Sequence, residues 1–358
     1  MRAVQVKEFG GPEVLVTVEA ADPVPGPGEV LIEVAYSDTI FVETQIRAGW
    51  GGEFFDVTPP YVPGGGVSGV VGALGPEVPE EWLGRRVTAL VEGSYAERAV
   101  APVTALTVVP DALGLPSAAA LVHDGVTAAG LLELTGLGAT DRVLILGASG
   151  GMGTLLVQLA HARGARVVGA ARGAEKLALV RELGADAVVD VTLPGWTDTA
   201  RAALGGGAGG RPKAADLILD GVGGELGLAA FTLTADGGRF SAHGAPTGGF
   251  SPVDPAEARR RAVTLFGITD VQFTPADLHR HTTTALTEAA AGRLRPVIGE
   301  VFPLDRAAEA HAAVEGRGVV GKVVLGVRGG GIGEPPVRAS ALAPRRVRPS
   351  GTTLRGRP

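Results

Sequence analysis

The residues best placed to do chemistry lie between Arg142 and Ala160, RVLILGASGGMGTLLVQLA, where Gly147, Gly150 and Gly153 join an apolar run to a helix-forming one. Glycines there let the chain turn tightly off a strand, approach a pyrophosphate with its backbone and bring the next helix close to the sheet. That helix would offer its unsatisfied first N–H groups and a partial positive charge to phosphates. Gly147, Ala148, Ser149, Gly150, Gly151, Met152 and Gly153 are therefore the candidate phosphate loop of a dinucleotide site. GxxGxxG is not the commonest spacing, and its weight comes from context: strand before, helix after, second strand at the right distance.

The second strand ends in VVGAARGAEK. A site for NAD usually carries an Asp or Glu about 20 residues past the glycines, to bond the ribose 2′-hydroxyl. Here the strand end has no acid, and Arg172 and Lys176 stand where a 2′-phosphate would lie. A guanidinium grips phosphate with two parallel N–H bonds and an ammonium adds a point charge. The pattern implies NADPH. Gly221, after DLILD, and His243, after RFSA, fall at strand ends that should face the nucleotide crevice, and are further candidate cofactor contacts.

The hydropathy pattern supplies the elements that must position these residues. AVQVKEF, VLVTVEA, EVLIEVAYS, VSGVVGAL and RRVTALV read as short strands punctuated by GPGE and PPYVPGGG, an irregular antiparallel β-rich domain over residues 1–122. SAAALVHDGVTAAGLLELTGL reads as helices, with Ser117 after Pro116 as a start signal. Residues 123–268 then alternate short apolar strands with helices, ending at VTLFG, the signature of a doubly wound parallel sheet covered on both faces. Residues 269–327 return to strand and helix, and the expected fold is α/β, a β-rich domain interrupted by the wound one. A helix from His279 to Gly292 would put the pair His279 and His281 on a polar surface.

Composition narrows the function classes. The chain has 358 residues, 45% hydrophobic and 20% charged, enough for a sizeable buried core. No cysteine is present, so disulfides, Cys-ligated zinc and thiol catalysis are excluded, and no metal site is expected. Aromatic residues are only 4%, which argues against base-stacking platforms. The net charge of −6 conceals a basic end: from Arg328 on there are seven arginines against Glu334 alone. The acidic remainder argues against nucleic acid as the main partner. Residues 328–358 read as a disordered tail, and Gly205–Lys213 as a flexible surface loop. With neither a signal-peptide start nor a membrane-length apolar run, the expected location is cytoplasmic.

Taken in order, these segments resemble the quinone oxidoreductases, the zinc-independent, zeta-crystallin-like branch of the medium-chain dehydrogenase/reductase superfamily. RVLILGASGGMG is similar to that family's VLVHGAAGGVG loop, FVETQIRAGW (Phe41–Trp50) to its cleft-lining VETYIRSG, GVTAAGLL to its GxTA helix start, and DLILDGVGGE and DGGRFSAHG to two of its strands. The likeness covers residues 1 to about 327. It implies a GroES-like catalytic domain with an inserted Rossmann domain, hydride transfer from NADPH to a quinone or other conjugated carbonyl, a cleft between the domains and a homodimer. Zinc relatives carry a GHE motif; here PGGGVSG places Gly65 and Gly66 at its His and Glu. Departures from the quinone-reductase pattern are Ile40 for Asn, Gln45 for Tyr, and Val191 for a Tyr that helps to hold the 2′-phosphate.

Hydride transfer of this kind asks the protein mainly to orient rings and exclude water, helped by a donor near the developing oxyanion. Candidate donors are Gln45, Tyr36, Thr127 and His243. His123 lies near the same cleft, with Asp124 read as a structural or helix-capping residue, Glu43 as half of a buried ion pair and Asp220 as the cap of a turn. Two other readings stay open: an enoyl-thioester reductase, and a nonenzymatic NADPH-binding protein.

Overall fold

In the computed structural model the described residues are 1–52, 54–205 and 214–327. The predicted tail and nearly all of the predicted Gly205–Lys213 loop lie outside them.

Strand β1 (Arg2–Val6) pairs antiparallel with β2 (Leu15–Glu19). The long strand β3 (Glu29–Asp38) then leads into helix α1 (Phe41–Arg47). Strands β4 (Gly66–Leu74), β5 (Arg86–Leu90), β6 (Arg98–Pro102) and β7 (Thr107–Val108) complete the first half. β3 pairs antiparallel with both β4 and β6, β4 with β5, and β5 with β7. Their inward side chains, among them Val4, Ile32, Val67 and Val87, make one core.

Helices α2 (Leu115–Leu121) and α3 (Asp124–Leu134) bridge to the second sheet. Pro116 occupies the first turn of α2 and Gly114 is its N-cap, so Ser117 lies inside the helix and does not start it. Proline is tolerated there because first-turn N–H groups have no intrahelical acceptor.

The second sheet is built from β8 (Arg142–Leu146), α4 (Gly151–Ala162), β9 (Arg166–Ala171), α5 (Ala174–Glu182), β10 (Ala187–Asp190), α6 (Trp196–Leu204), β11 (Ala215–Asp220), α7 (Gly224–Phe231), β12 (Thr234–Ala242), α8 (Pro255–Arg260) and β13 (Thr264–Phe266). It is parallel, in the order β10-β9-β8-β11-β12-β13. Burial on both faces explains the unbroken apolar runs. Val143, Ile145, Leu217 and Leu219 pack into one core, while Leu144, Leu146 and Ile218 pack into another on the opposite face. Strand order reverses direction between β8 and β11, the switch point where such sheets open a ligand crevice at their carboxyl ends.

The chain closes with α9 (Pro275–Ala290), β14 (Ile298–Pro303), α10 (Ala307–Glu315) and β15 (Lys322–Gly326). β15 pairs antiparallel with β3 and parallel with β14, so the last strands join the first sheet. On α9 the sequence expectation fails for His281, which is buried, 4% exposed, with its ring edge-on to Phe273 at 5.5 Å. Among the described residues no single helix is long and apolar enough to cross a membrane.

One buried ion pair ties the second sheet together at its amino edge. Arg142 at the start of β8 grips Asp216 of β11 through Nε (3.0 Å) and Nη2 (3.2 Å), and its backbone N–H donates to the same carboxylate at 2.9 Å. Removing one partner strands a buried charge. Asp216→Ala is expected to lower unfolding free energy by about 3–5 kcal/mol, read as a lower urea midpoint at unchanged slope; a loss below about 1 kcal/mol would show that the pair behaves as a surface one.

Candidate functional site

The turn from β8 to α4 is built as the glycines require. Gly147 has φ +69°, and a Cβ on Gly153 would overlap the carbonyl oxygen of Gly147, so the helix can approach the strand only with hydrogen there. Ala148 and Ser149 are buried beneath the turn, and the Ala148 N–H donates to Ala170 of β9 at 3.1 Å. Gly150 is the N-cap of α4, and Gly151, Met152 and Gly153 form its first turn, whose N–H groups have no intrahelical acceptor. A phosphate would find its donors here.

At the end of β9, Arg172 is exposed and Lys176 half-buried, its Nζ donating to the Arg317 carbonyl at 2.5 Å. Burial, then the charge of Arg172, lowers the Lys176 pKa. Arg317, from the loop after α10, donates to the Pro246 carbonyl, stacks over Phe41 with 5.7 Å to the ring centroid and has φ +53°. It adds a third cation that the sequence reading missed, because its place depends on the return of the chain. Asp190, at the end of β10, accepts from the Gly173 N–H, the Thr192 N–H and the Thr192 hydroxyl. Val191, half-buried beside it, packs into the sheet core.

Gly221 and His243 meet over the switch point: a Cβ on Gly221 would stand 3.4 Å from His243 Nε2 and 3.3 Å from the Leu146 carbonyl. His243 is buried, its Nδ1 lies 3.1 Å from Ser241 Oγ, and Nε2 has no partner among the described residues. Burial pushes its pKa down to about 4, so the ring is neutral near pH 7. Asp220 caps the turn as expected, accepting from the Val222 and Gly223 N–H groups, both at 2.9 Å.

The four candidate donors lie on different elements. Gln45 on α1 reaches across to the second unit and donates from Nε2 to the Ala245 carbonyl at 2.8 Å, which makes it a latch over the cleft. Thr127 lies in the first turn of α3, half-buried. Tyr36, on β3, packs against Ala119, Ala120 and Val324.

A polar cluster lies instead where the two units meet. Asp38, fully buried at the end of β3, holds His123 Nδ1 through Oδ2 at 2.7 Å, with Lys322 Nζ 3.5 Å away. Lys322, at the start of β15 and 4% exposed, also pairs with Asp124 at 3.1 Å. Asp124 opens α3 and its carboxylate pairs with this lysine, the structural one of the two roles expected of it. Neighbouring Gly321 donates to the Ser149 carbonyl at 2.9 Å, fastening β15 to the phosphate turn. Burial works against a charged His123, but the charge and hydrogen bond of Asp38 outweigh it and the pKa is raised.

His123 also borders Gly65 and Gly66. A Cβ on Gly65 would stand 2.9 Å from His123 Cε1 and 3.1 Å from Nε2; one on Gly66 would stand 2.8 Å from Asp38 Oδ1. The imidazole fills the room that ligand side chains would need. Among the described residues no group of three His, Cys, Asp or Glu side chains could hold a metal ion.

Glu43 was expected in a buried ion pair, and the structure corrects this. It is 7% exposed and accepts from the Tyr95 hydroxyl at 2.8 Å and the Ile40 N–H at 3.2 Å. Tyr95 in turn lies 3.0 Å from His311 Nε2. Burial, then the nearby Asp38 charge, pushes the Glu43 pKa up to about 7, and burial pushes His311 down to about 3. The chain of donors runs from neutral His311 through Tyr95 to Glu43. Above the cleft Trp50 of the first unit faces Phe250 of the second at 6.1 Å, with Phe54 at 6.0 Å from Phe250.

With this geometry in hand, comparison places the chain among known proteins. Residues 26–111 match the family model described as an alcohol dehydrogenase GroES-like domain, and residues 183–325 the one described as a zinc-binding dehydrogenase. Human quinone oxidoreductase is 31% identical over 332 residues, covering 91% of this chain and 97% of its own. A mycobacterial protein solved with NADPH superimposes with a TM-score of 0.83 at 31% identity, covering 91% of this chain and 100% of its own. An NAD-dependent alcohol dehydrogenase superimposes with a TM-score of 0.81, also at 31% identity, over 92% of this chain and 100% of its own.

The raised Glu43 pKa has a stability consequence. Folding favours the protonated carboxyl, so this contribution is fully present below pH 4.5, the ordinary value, and is lost as pH rises to about 7. The loss over that window is roughly 3 kcal/mol. Glu43→Gln, neutral at every pH, is expected to lack this slope and to gain on the parent protein between pH 5 and 8 in urea titrations. Parallel pH profiles would mean that Glu43 is ionised in the fold.

Proposed function

This chain belongs to the quinone oxidoreductase family of the medium-chain dehydrogenases/reductases, and from that premise we propose that it passes a hydride from NADPH to a quinone or other conjugated carbonyl without zinc. It is an NAD(P)H-dependent oxidoreductase. The observation that carries the finer reading is the phosphate turn itself, with Gly153 forced against Gly147 and three first-turn N–H groups opening on the seam between the two sheets. Gly147 to Gly153 would hold the pyrophosphate. Arg172, Lys176 and Arg317 would face the 2′-phosphate, and Gly221 and His243 the nicotinamide end of the crevice.

When bound, the cofactor supplies the hydride; the protein orients it and keeps water out. Gln45 latches the first unit to the loop at Ala245, and Trp50, Phe54 and Phe250 give the mouth an aromatic wall suited to a flat, apolar acceptor. The zinc-free reading rests on His123 filling the space at Gly65 and Gly66 and on a chain without cysteine. A cytoplasmic homodimer acting on a small molecule, with no nucleic-acid or membrane partner, completes the proposal.

The direct test follows nicotinamide absorbance with purified protein, NADPH or NADH, and a panel of quinones and enoyl thioesters. NADPH-selective decay with quinones is expected; decay with thioesters alone would replace the acceptor class, and none with any acceptor would overturn the proposal. For the cofactor corner, losing a charged hydrogen bond costs about 1.5–3 kcal/mol. Arg172→Glu should therefore weaken NADPH binding roughly 10- to 100-fold and leave NADH within about twofold, measured by fluorescence titration. Equal losses for both cofactors would contradict the assignment.

A further inference from the structure

Reduction of a conjugated carbonyl needs a proton as well as a hydride, and the turn, the cations and the latch described above supply none. Of the buried titratable groups described, His243 is neutral and hemmed in, while Glu43, Tyr95 and His311 are buried and joined to one another through the Tyr95 hydroxyl. His123 differs. It sits at the junction of α2 and α3, keeps 26% of its side chain exposed, and its Nε2 is not a buried atom and has no partner among the described residues. The far nitrogen, Nδ1, is fixed by the fully buried Asp38. One side of the ring borders the glycine strip at Gly65; the next residue, Asp124, lies against Gly151 in the first turn of α4. The imidazole therefore stands between the first sheet and the phosphate turn.

We propose that His123 is the proton donor of the reaction, a Brønsted acid standing in the space that metal ligands would otherwise fill, with Asp38 as its positioning residue. This inference rests on the reductase reading given above. The acceptor carbon gains a hydride from the reduced nicotinamide, and the electron pair of its conjugated bond moves onto the carbonyl oxygen. His123 Nε2–H gives its proton to that oxygen, so the N–H bond breaks as the O–H bond forms. The ring is left neutral with Nδ1–H on Asp38, and water returns the proton to Nε2 after oxidised cofactor leaves. Three charged or titratable groups act on the ring, Asp38 from β3, Lys322 from β15 and Glu43 from α1, and Asp124 of α3 pairs with Lys322 behind them. Asp38 and Glu43 favour the charged ring and Lys322 opposes it, which leaves the acid form populated above the ordinary histidine range.

Asp38 Oδ1 has no partner among the described residues and a Cβ on Gly66 would collide with it. The dyad and the two glycines thus require each other. A general acid contributes typically 10²- to 10⁴-fold, and more where the developing anion is a strong base.

The test compares the parent protein with His123→Gln and Asp38→Asn in single-turnover oxidation of NADPH by a cyclic enone, whose enolate is strongly basic, and by a benzoquinone, whose hydroquinone anion is weakly basic. NADPH affinity and melting temperature are measured alongside. In the parent, the enone rate should fall as pH rises through the His123 pKa. His123→Gln should lose that limb and about 10²-fold or more in rate with the enone, less with the quinone, at unchanged NADPH affinity. Asp38→Asn should move the limb to lower pH, and the His123 ring titration seen by NMR in the cofactor-free protein should move with it. If His123→Gln does not fold, the Asp38→Asn shift decides alone. Parent-like rates and pH profile in His123→Gln, or an unmoved limb in Asp38→Asn, would overturn the inference while leaving the reductase reading intact. A parent that oxidises NADPH with neither acceptor would overturn both.

Discussion

The arrangement depends first on a lysine that is almost wholly buried. Lys322 starts the final strand, and burying its ammonium is tolerable only because Asp38 and Asp124 approach it at 3.5 and 3.1 Å from two different parts of the chain. Burial alone would lower its pKa, and the two carboxylates reverse that. One residue earlier, Gly321 bonds the Ser149 carbonyl beneath the phosphate turn. The same short segment thus fixes β3, α3 and α4 relative to one another. The cation could not stay in the interior without carboxylates beside it.

From this junction the cleft follows. β15 pairs with β3, so the first sheet ends beside the carboxyl edge of the second, where the strand order reverses. The turn at Gly150 is bridged to Gly321 just before β15, and His123 stands beside the glycine strip at Gly65 and Gly66. Polar groups that would be expensive in an apolar core are gathered into two chains, Asp38–His123 and Glu43–Tyr95–His311, each with its own sequence of donors and acceptors.

The wound sheet and its turn were legible because the evidence for them is local. Continuous apolar strands, a GxxGxxG turn and the absence of an acid after VVGAA all lie within short windows of sequence. The resemblance carried the GroES-like half, whose irregular strands have weaker periodicity. The polar junction was not legible. Asp38, His123 and Lys322 are far apart in the chain and are brought together only when the last strand re-enters the first sheet. His281 looked like surface because its neighbours are polar, but its ring is covered by Phe273 from the preceding loop. Glu43 was read as half of an ion pair because buried carboxylates usually are; a tyrosine from the loop before β6 satisfies it instead.

The account centres on direct transfer of hydride from nicotinamide to a conjugated carbonyl with no metal taking part. The measurement that bears on it most directly uses NADPH deuterated at C4, an enone acceptor, and protein dialysed against a strong chelator, with the product analysed by mass spectrometry. The account predicts a reduced ketone carrying one deuterium on carbon, formed at the rate of the undialysed protein apart from the isotope effect. Product without deuterium, or turnover that returns only when zinc is added back, would contradict it.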